Sequence, residues 1–148
     1  FNVLMLGDSG AYLLGFFMGL MIISSHVSNP DVSPYFFISL IWYPCFENLF
    51  SILRKINRKF SPLKPDSKHL HQLVFFFLTK KFNLKLIISN NLSSVIISFF
   101  NFLIIYISSL NPSSTIFQIK LIATSIIFYN IIYVFLFRFY KSDLISKK

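Results

Sequence analysis

Residues 86–110 run for 25 positions without one charged side chain. At about 1.5 Å per helical residue, that length crosses the roughly 30 Å hydrocarbon layer of a bilayer. Three more stretches approach it. Residues 11–28 are uncharged over 18 positions, residues 32–49 are charged only at Glu47, and residues 115–137 are broken only by Lys120. A water-soluble fold would have to bury these runs along with 20 phenylalanines in a chain of 148 residues, more than one small core encloses. Lipid can solvate them instead. The sequence therefore predicts an all-α, polytopic integral membrane bundle of about four transmembrane helices. Pro34 suits the first turn of the second of them, HVSNPDVSP reads as a short turn, and Asn111-Pro112 closes the third run.

The charge that remains is distributed unevenly. Residues 51–85 carry nine Lys/Arg against Asp66 alone, and the tail adds Arg138, Lys141, Lys147 and Lys148. The other two connections, residues 26–34 and 111–114, carry none. A bias of 13 to 0 places the central segment and the C-terminus in the cytoplasm, because short basic loops are retained there. One crossing pair earlier, Gly7-Asp8 falls on that face as well. Asp8, Glu47, His69 and His71 could then converge on one site. The net charge of +9 reports orientation here. No recognition module surrounds the basic segment, so no nucleic-acid partner is expected. Cys45 cannot form an internal disulfide and reads as a packed thiol.

SILRKINRKF continues the second helix, with Ile52, Ile56 and Phe60 as an apolar stripe. Two proline pairs, Ser61-Pro62 and Lys64-Pro65, break it, and Asp66 could cap a further helix through HLHQLVFFFL. The phenylalanine runs read as lipid-facing bulk.

Three polar islands could carry chemistry. In GDSG, at residues 7–10, a spanning run follows at once, which argues against Ser9 as a protease-like nucleophile. Gly7 and Gly10 would let backbone and the Asp8 carboxylate approach a Mg²⁺-phosphate group closely; the competing reading is that Asp8 caps the first helix. His69 and His71, at i and i+2, point roughly 200° apart on a regular helix and converge only if the backbone is irregular there. They suit phosphate oxygens beside Lys64 and Lys68, or else are two solvated histidines. Glu47 lies where an apolar helix meets its charged end. A carboxylate at that depth is functional or paired, and Arg54 or Lys55 could serve as its partner.

LMLGDSGAYLLGFFMG, YPCFENLFSILRKI and SPLKPDSKHLHQL, in that order and spacing, resemble signatures of the polyprenyl-phosphate N-acetylhexosamine-1-phosphate transferases. These are multi-pass enzymes of the bacterial cytoplasmic (inner) membrane that start the assembly of cell-wall, lipopolysaccharide and capsule glycans. The resemblance covers about the first half of the chain. It departs from the family's pattern at Ala11, where a serine is usual, at Gln72, where many members carry histidine, and at Met5, one place from its usual position. The Pro65-Asp66 pair looks more like the O-antigen, teichoic acid and capsule branches than the muramyl-pentapeptide branch.

The resemblance implies a Mg²⁺-dependent transfer (Mn²⁺ could substitute) of a sugar-1-phosphate from a UDP-N-acetylhexosamine to undecaprenyl phosphate, releasing UMP. It implies Asp8 as the metal ligand, with Asp8, His69 and His71 at the reacting centre. Gly7, Gly10, Glu47, Lys64, Asp66 and Lys68 would bind substrate, and a homodimer is compatible with it. The family's paired aspartates are absent. The chain opens on Phe1 inside a motif, so residues 1–148 are expected to be the C-terminal part of a single transferase domain and inactive alone. The alternative is a non-enzymatic polytopic protein, a transporter or scaffold subunit, that keeps the fold.

Overall fold

The computed structural model describes residues 7–57 and 68–145. Among them the chain forms five helices: α1 (Gly7–Ser28), α2 (Pro34–Asn57), α3 (Leu70–Lys81), α4 (Leu86–Ser109) and α5 (Thr115–Ile145). All but α3 contain a stretch long and apolar enough to cross a membrane: Ser9–Ser28, Pro34–Asn57, Leu86–Ser109 and Thr115–Asp143. By helix length and hydropathy this is a multi-pass membrane protein. Pro34 opens α2 as expected, and Ser33 caps it by accepting the Tyr35 N–H on Oγ at 3.3 Å. Pro44 sits inside α2 without ending it, as bundled spanning helices tolerate.

The α1–α2 turn meets the α4–α5 turn on one face. There the Ser33 N–H donates to the Pro112 carbonyl at 3.0 Å, and the Ser33 and Thr115 hydroxyls pair at 3.0 Å. Just inside, three buried side chains tie α2, α4 and α5 together. Ser39 and Ser108 pair at 2.6 Å, Ser108 donates to Gln118 Oε1 at 2.7 Å, and Gln118 Nε2 donates to the Ser108 and Asn111 carbonyls. Small serines let the helices approach closely, and the hydrogen bonds close the polar groups against one another in an apolar medium. The end of α2, the start of α4 and the end of α5 lie at the opposite, basic face.

α3 is a half-length helix packed against α4 and α5. Leu70, Leu73, Val74 and Leu78 join Trp42 of α2, Ile104 of α4 and Tyr129, Tyr133 and Leu136 of α5 in one core. Its phenylalanines also pack on protein: Phe76 meets Tyr140 at 4.9 Å and Phe77 meets Phe139 at 5.0 Å. The run at residues 75–77 is therefore partly a helix contact and not lipid-facing bulk, whereas Phe16, Phe99 and Phe102 are exposed as expected. α1 stands outside this core. Its spanning window buries nothing, and its aromatic contact with α2 is His26 on Phe37 at 5.6 Å.

Cys45 corrects an expectation, because it is exposed and not packed. Ser39, Tyr43, Phe46 and Phe50, at i, i+4, i+7 and i+11, lie on the inner side of α2, and at about 100° per residue Cys45 is turned by about 100° or more from every one of them. The thiol faces where lipid would be.

Candidate functional site

Glu47 is the residue on which the site is built. Its position on the inner side of α2 leaves it 7% exposed, thirteen residues after Pro34, or about 20 Å along the helix. A carboxylate so placed must be satisfied by donors. Oε1 accepts the Leu70 N–H at 3.1 Å and lies 3.0 Å from His69 Nδ1. Oε2 accepts the hydroxyl of Tyr129, which is fully buried, at 2.6 Å. The partners anticipated from sequence were Arg54 and Lys55; those found are a histidine, a backbone amide and a tyrosine from α5. Tyr43, one turn earlier on α2, turns its buried hydroxyl inward beside the same carboxylate.

This carboxylate caps α3 from outside the helix. The first N–H groups of any helix lack intrahelical acceptors, and the N-terminal end favours negative charge. His69 is the N-cap residue, with extended backbone at φ −70° and ψ 155°. Its own N–H is accepted by Gln72 Oε1 at 3.2 Å. α3 thus has its N-cap three residues beyond Asp66 and is capped by His69, Gln72 and Glu47. Asp66 and Lys64 lie outside the described residues.

A second anchor lies beside the first. Arg54 Nη1 donates to the Lys68 carbonyl at 2.8 Å and also bonds the Tyr133 hydroxyl. Tyr133 donates to the same carbonyl at 3.2 Å. The guanidinium lies 5.3 Å from the Tyr133 ring centre and 5.6 Å from that of Phe50, within reach of cation–π attraction. Residues 68–70 are therefore held on both sides, by α2 and by α5. Tyr129, Tyr133 and Phe137 stack successively at i, i+4 and i+8 and present the two hydroxyls from one helix face.

The two histidines do converge. Their rings stack 5.8 Å apart and within 10° of parallel, because His69 has left helical geometry while His71 is in the first turn. This is the backbone irregularity that the i, i+2 spacing demands. Partial desolvation, and next the adjacent His69, hold His71 below its ordinary range, against an opposing pull from Glu47. Titration of His71 by its imidazole NMR signal should give a midpoint below about 6.5. A histidine kept neutral in the fold contributes stability that is present above the unfolded value and lost as pH falls toward the folded one. A midpoint at or above the ordinary value would contradict this environment.

Gly7 and Gly10 lie in the first turn of α1. Gly7 has φ +62°, a left-handed backbone that favours glycine, and a Cβ placed there meets nothing within 4 Å. Asp8 is the second residue of α1; its side chain lies outside the described residues. Among the described residues no three His, Cys, Asp or Glu side chains gather around a point where a metal could sit. Glu47 by itself supplies too few oxygens for Mg²⁺ or Mn²⁺, which take several, and its two oxygens already accept three hydrogen bonds.

The chain matches no protein-family model, no curated protein and no solved structure. Sequence reasoning selected Glu47, Lys68, His69 and His71, and the fold brings these four together. It missed Tyr129 and Tyr133. Their signal was available: two phenols at i, i+4 in the middle of a span rich in Ile, Phe and Leu.

Proposed function

We propose that this chain serves the transfer of N-acetylhexosamine-1-phosphate from a UDP-sugar to undecaprenyl phosphate at the cytoplasmic face of a membrane. An oxygen of the lipid phosphate attacks the phosphorus that bears the sugar, the pyrophosphate P–O bond breaks, and UMP leaves with the electron pair. The observation that supports this reading is the Glu47–His69 contact at 3.0 Å. Two of the three motifs behind the family resemblance, separated by 22 positions, meet through it. Brought together in this way, the two segments can serve one site.

In this reading Glu47 is a positioning residue. By accepting at His69 Nδ1 and the Leu70 N–H, it fixes the imidazole and leaves Nε2 to meet a phosphate oxygen. His71 stacks beside it, and Lys68 adds positive potential. Crowded phosphates need such fixed donors, because bringing two anions together is the main electrostatic cost of the reaction. Mg²⁺ enters the proposal through Asp8 alone and would supply charge neutralisation there. The basic face would be cytoplasmic by the excess of Lys and Arg it carries.

One observation favours the non-enzymatic alternative. Both oxygens of Glu47 accept hydrogen bonds from within the fold, an arrangement that equally suits a purely structural clasp in a transporter or scaffold subunit. The two readings separate in one assay. Membranes containing the product of the whole gene, given Mg²⁺ and undecaprenyl phosphate, should exchange labelled UMP into a UDP-N-acetylhexosamine. No exchange with any UDP-N-acetylhexosamine would leave the clasp standing and remove the enzyme.

A further inference from the structure

One face of α5 ends in a feature that neither the clasp nor the proposed reaction uses. Ile131, Val134, Phe135, Arg138 and Lys141 follow at i, i+3, i+4, i+7 and i+10, so they form one stripe along the helix. All five are exposed. The first four line, with Asn130, an open groove of about 460 Å³. The apolar members come first and the cations last. Arg138 lies 23 residues after Thr115, which is about 34 Å along the helix. Measured from the same helix start, a hydrocarbon layer of roughly 30 Å ends just before it. The guanidinium therefore stands at headgroup level on the basic face, and Ile131, Val134 and Phe135 lie within the hydrocarbon of the same leaflet.

We propose that this groove is a binding site for an anionic glycerophospholipid, its phosphate on Arg138 and Lys141 and the upper part of one acyl chain along Phe135, Val134 and Ile131. Charge complementarity selects the occupant. A zwitterionic lipid brings its own cation to the two basic side chains, whereas an anionic headgroup meets them without a competitor, and basic residues at a membrane surface attract anionic lipids additively. Apolar contact alone would not discriminate, because every acyl chain solvates the stripe equally. A neighbouring groove of about 410 Å³ between α2 and α5 shares Asn130 and Val134. Its cation, Arg54, is already engaged with the Lys68 carbonyl and Tyr133, so the Arg138 side is the better headgroup seat.

The proposal does not depend on the transferase reading, and its test reads lipid binding alone. The purified protein is offered phosphatidylglycerol and phosphatidylcholine of identical acyl chains, and bound lipid is counted by native mass spectrometry. Phosphatidylglycerol should be retained preferentially. The double variant Arg138→Gln/Lys141→Gln, on an exposed helix face where folding is not at stake, should lose that preference by roughly tenfold or more. An unchanged preference in the variant would overturn the site. Displacement of phosphatidylglycerol by equimolar undecaprenyl phosphate would overturn it in favour of an isoprenoid groove. Efficient cross-linking of two chains through Ile131→Cys, in a Cys45→Ala background, would give the face to a second copy and equally overturn it.

Discussion

Replacing Glu47 with alanine should detach α3 from the bundle. The substitution removes the acceptor for the Leu70 N–H, for His69 Nδ1 and for the Tyr129 hydroxyl, and leaves three donors in a buried site without water to replace it. Removing one side of a buried charged network costs about 3–5 kcal/mol, a large share of the stability of any single domain. Glu47→Gln should be much milder. It keeps the shape and one carbonyl acceptor, and its amide can donate to the tyrosine oxygen. Unfolding in detergent should rank wild type, Gln and Ala in that order, and amide exchange at Leu70 through Val74 should accelerate in the Ala variant before the rest of the core opens. Equal stability of the Ala variant and wild type would mean that Glu47 holds nothing.

The second large effect concerns activity. Within the proposed transferase, Asp8→Asn in the product of the whole gene should lower UMP exchange by on the order of 10²- to 10³-fold, the size expected when one preorganised charge-stabilising group is lost. The side chains overlay, so stability should hardly change: α1 starts at Gly7, whose position for a side chain is open space, and its span buries nothing. A rate near that of wild type with normal folding would reduce Asp8 to a residue of the first helical turn, where a negative charge complements the helix dipole.

The four spanning helices were readable from sequence because their determinant is local. Uncharged runs, Pro34 at a start and Asn111-Pro112 at an end depend on neighbours along the chain, and α2, α4 and α5 follow them closely. The continuation of α2 through Asn57 and a further helix through residues 70–78 were legible for the same reason. The choice of partners was not. Glu47 finds Tyr129 82 positions away, and this contact is set by how α2 and α5 lie side by side, which no periodicity records. With only sequence in hand, Arg54 and Lys55 were the natural counter-charges, both about two turns along. Arg54 instead turns to a backbone carbonyl and a phenol. The outward turn of Cys45 and the inward turn of Phe76 and Phe77 have the same origin: in a chain that is apolar all round, hydrophobicity cannot tell the lipid-facing side from the packed one.

The His69–His71 pair lies between these cases. Its spacing predicted that the rings could meet only at a break in helical geometry, and the break exists because His69 is an N-cap. What the spacing could not supply is the reason the cap sits there. The Lys68 carbonyl held by Arg54 and Tyr133, and the Leu70 amide held by Glu47, together fix where α3 begins.

Glu47 on α2 directly grips His69, joining two distant segments of the chain at membrane depth. Solid-state NMR on the protein in lipid, with ¹³C at the Glu47 carboxylate and ¹⁵N at His69 Nδ1, tests this grip most directly. A dipolar contact should appear between these two nuclei, with the ¹⁵N shift of a protonated Nδ1, and should vanish in Glu47→Ala. Absence of the contact in the wild type, with a His69 ring signal that exchanges freely with bulk water, would contradict the clasp and the functional reading built on it.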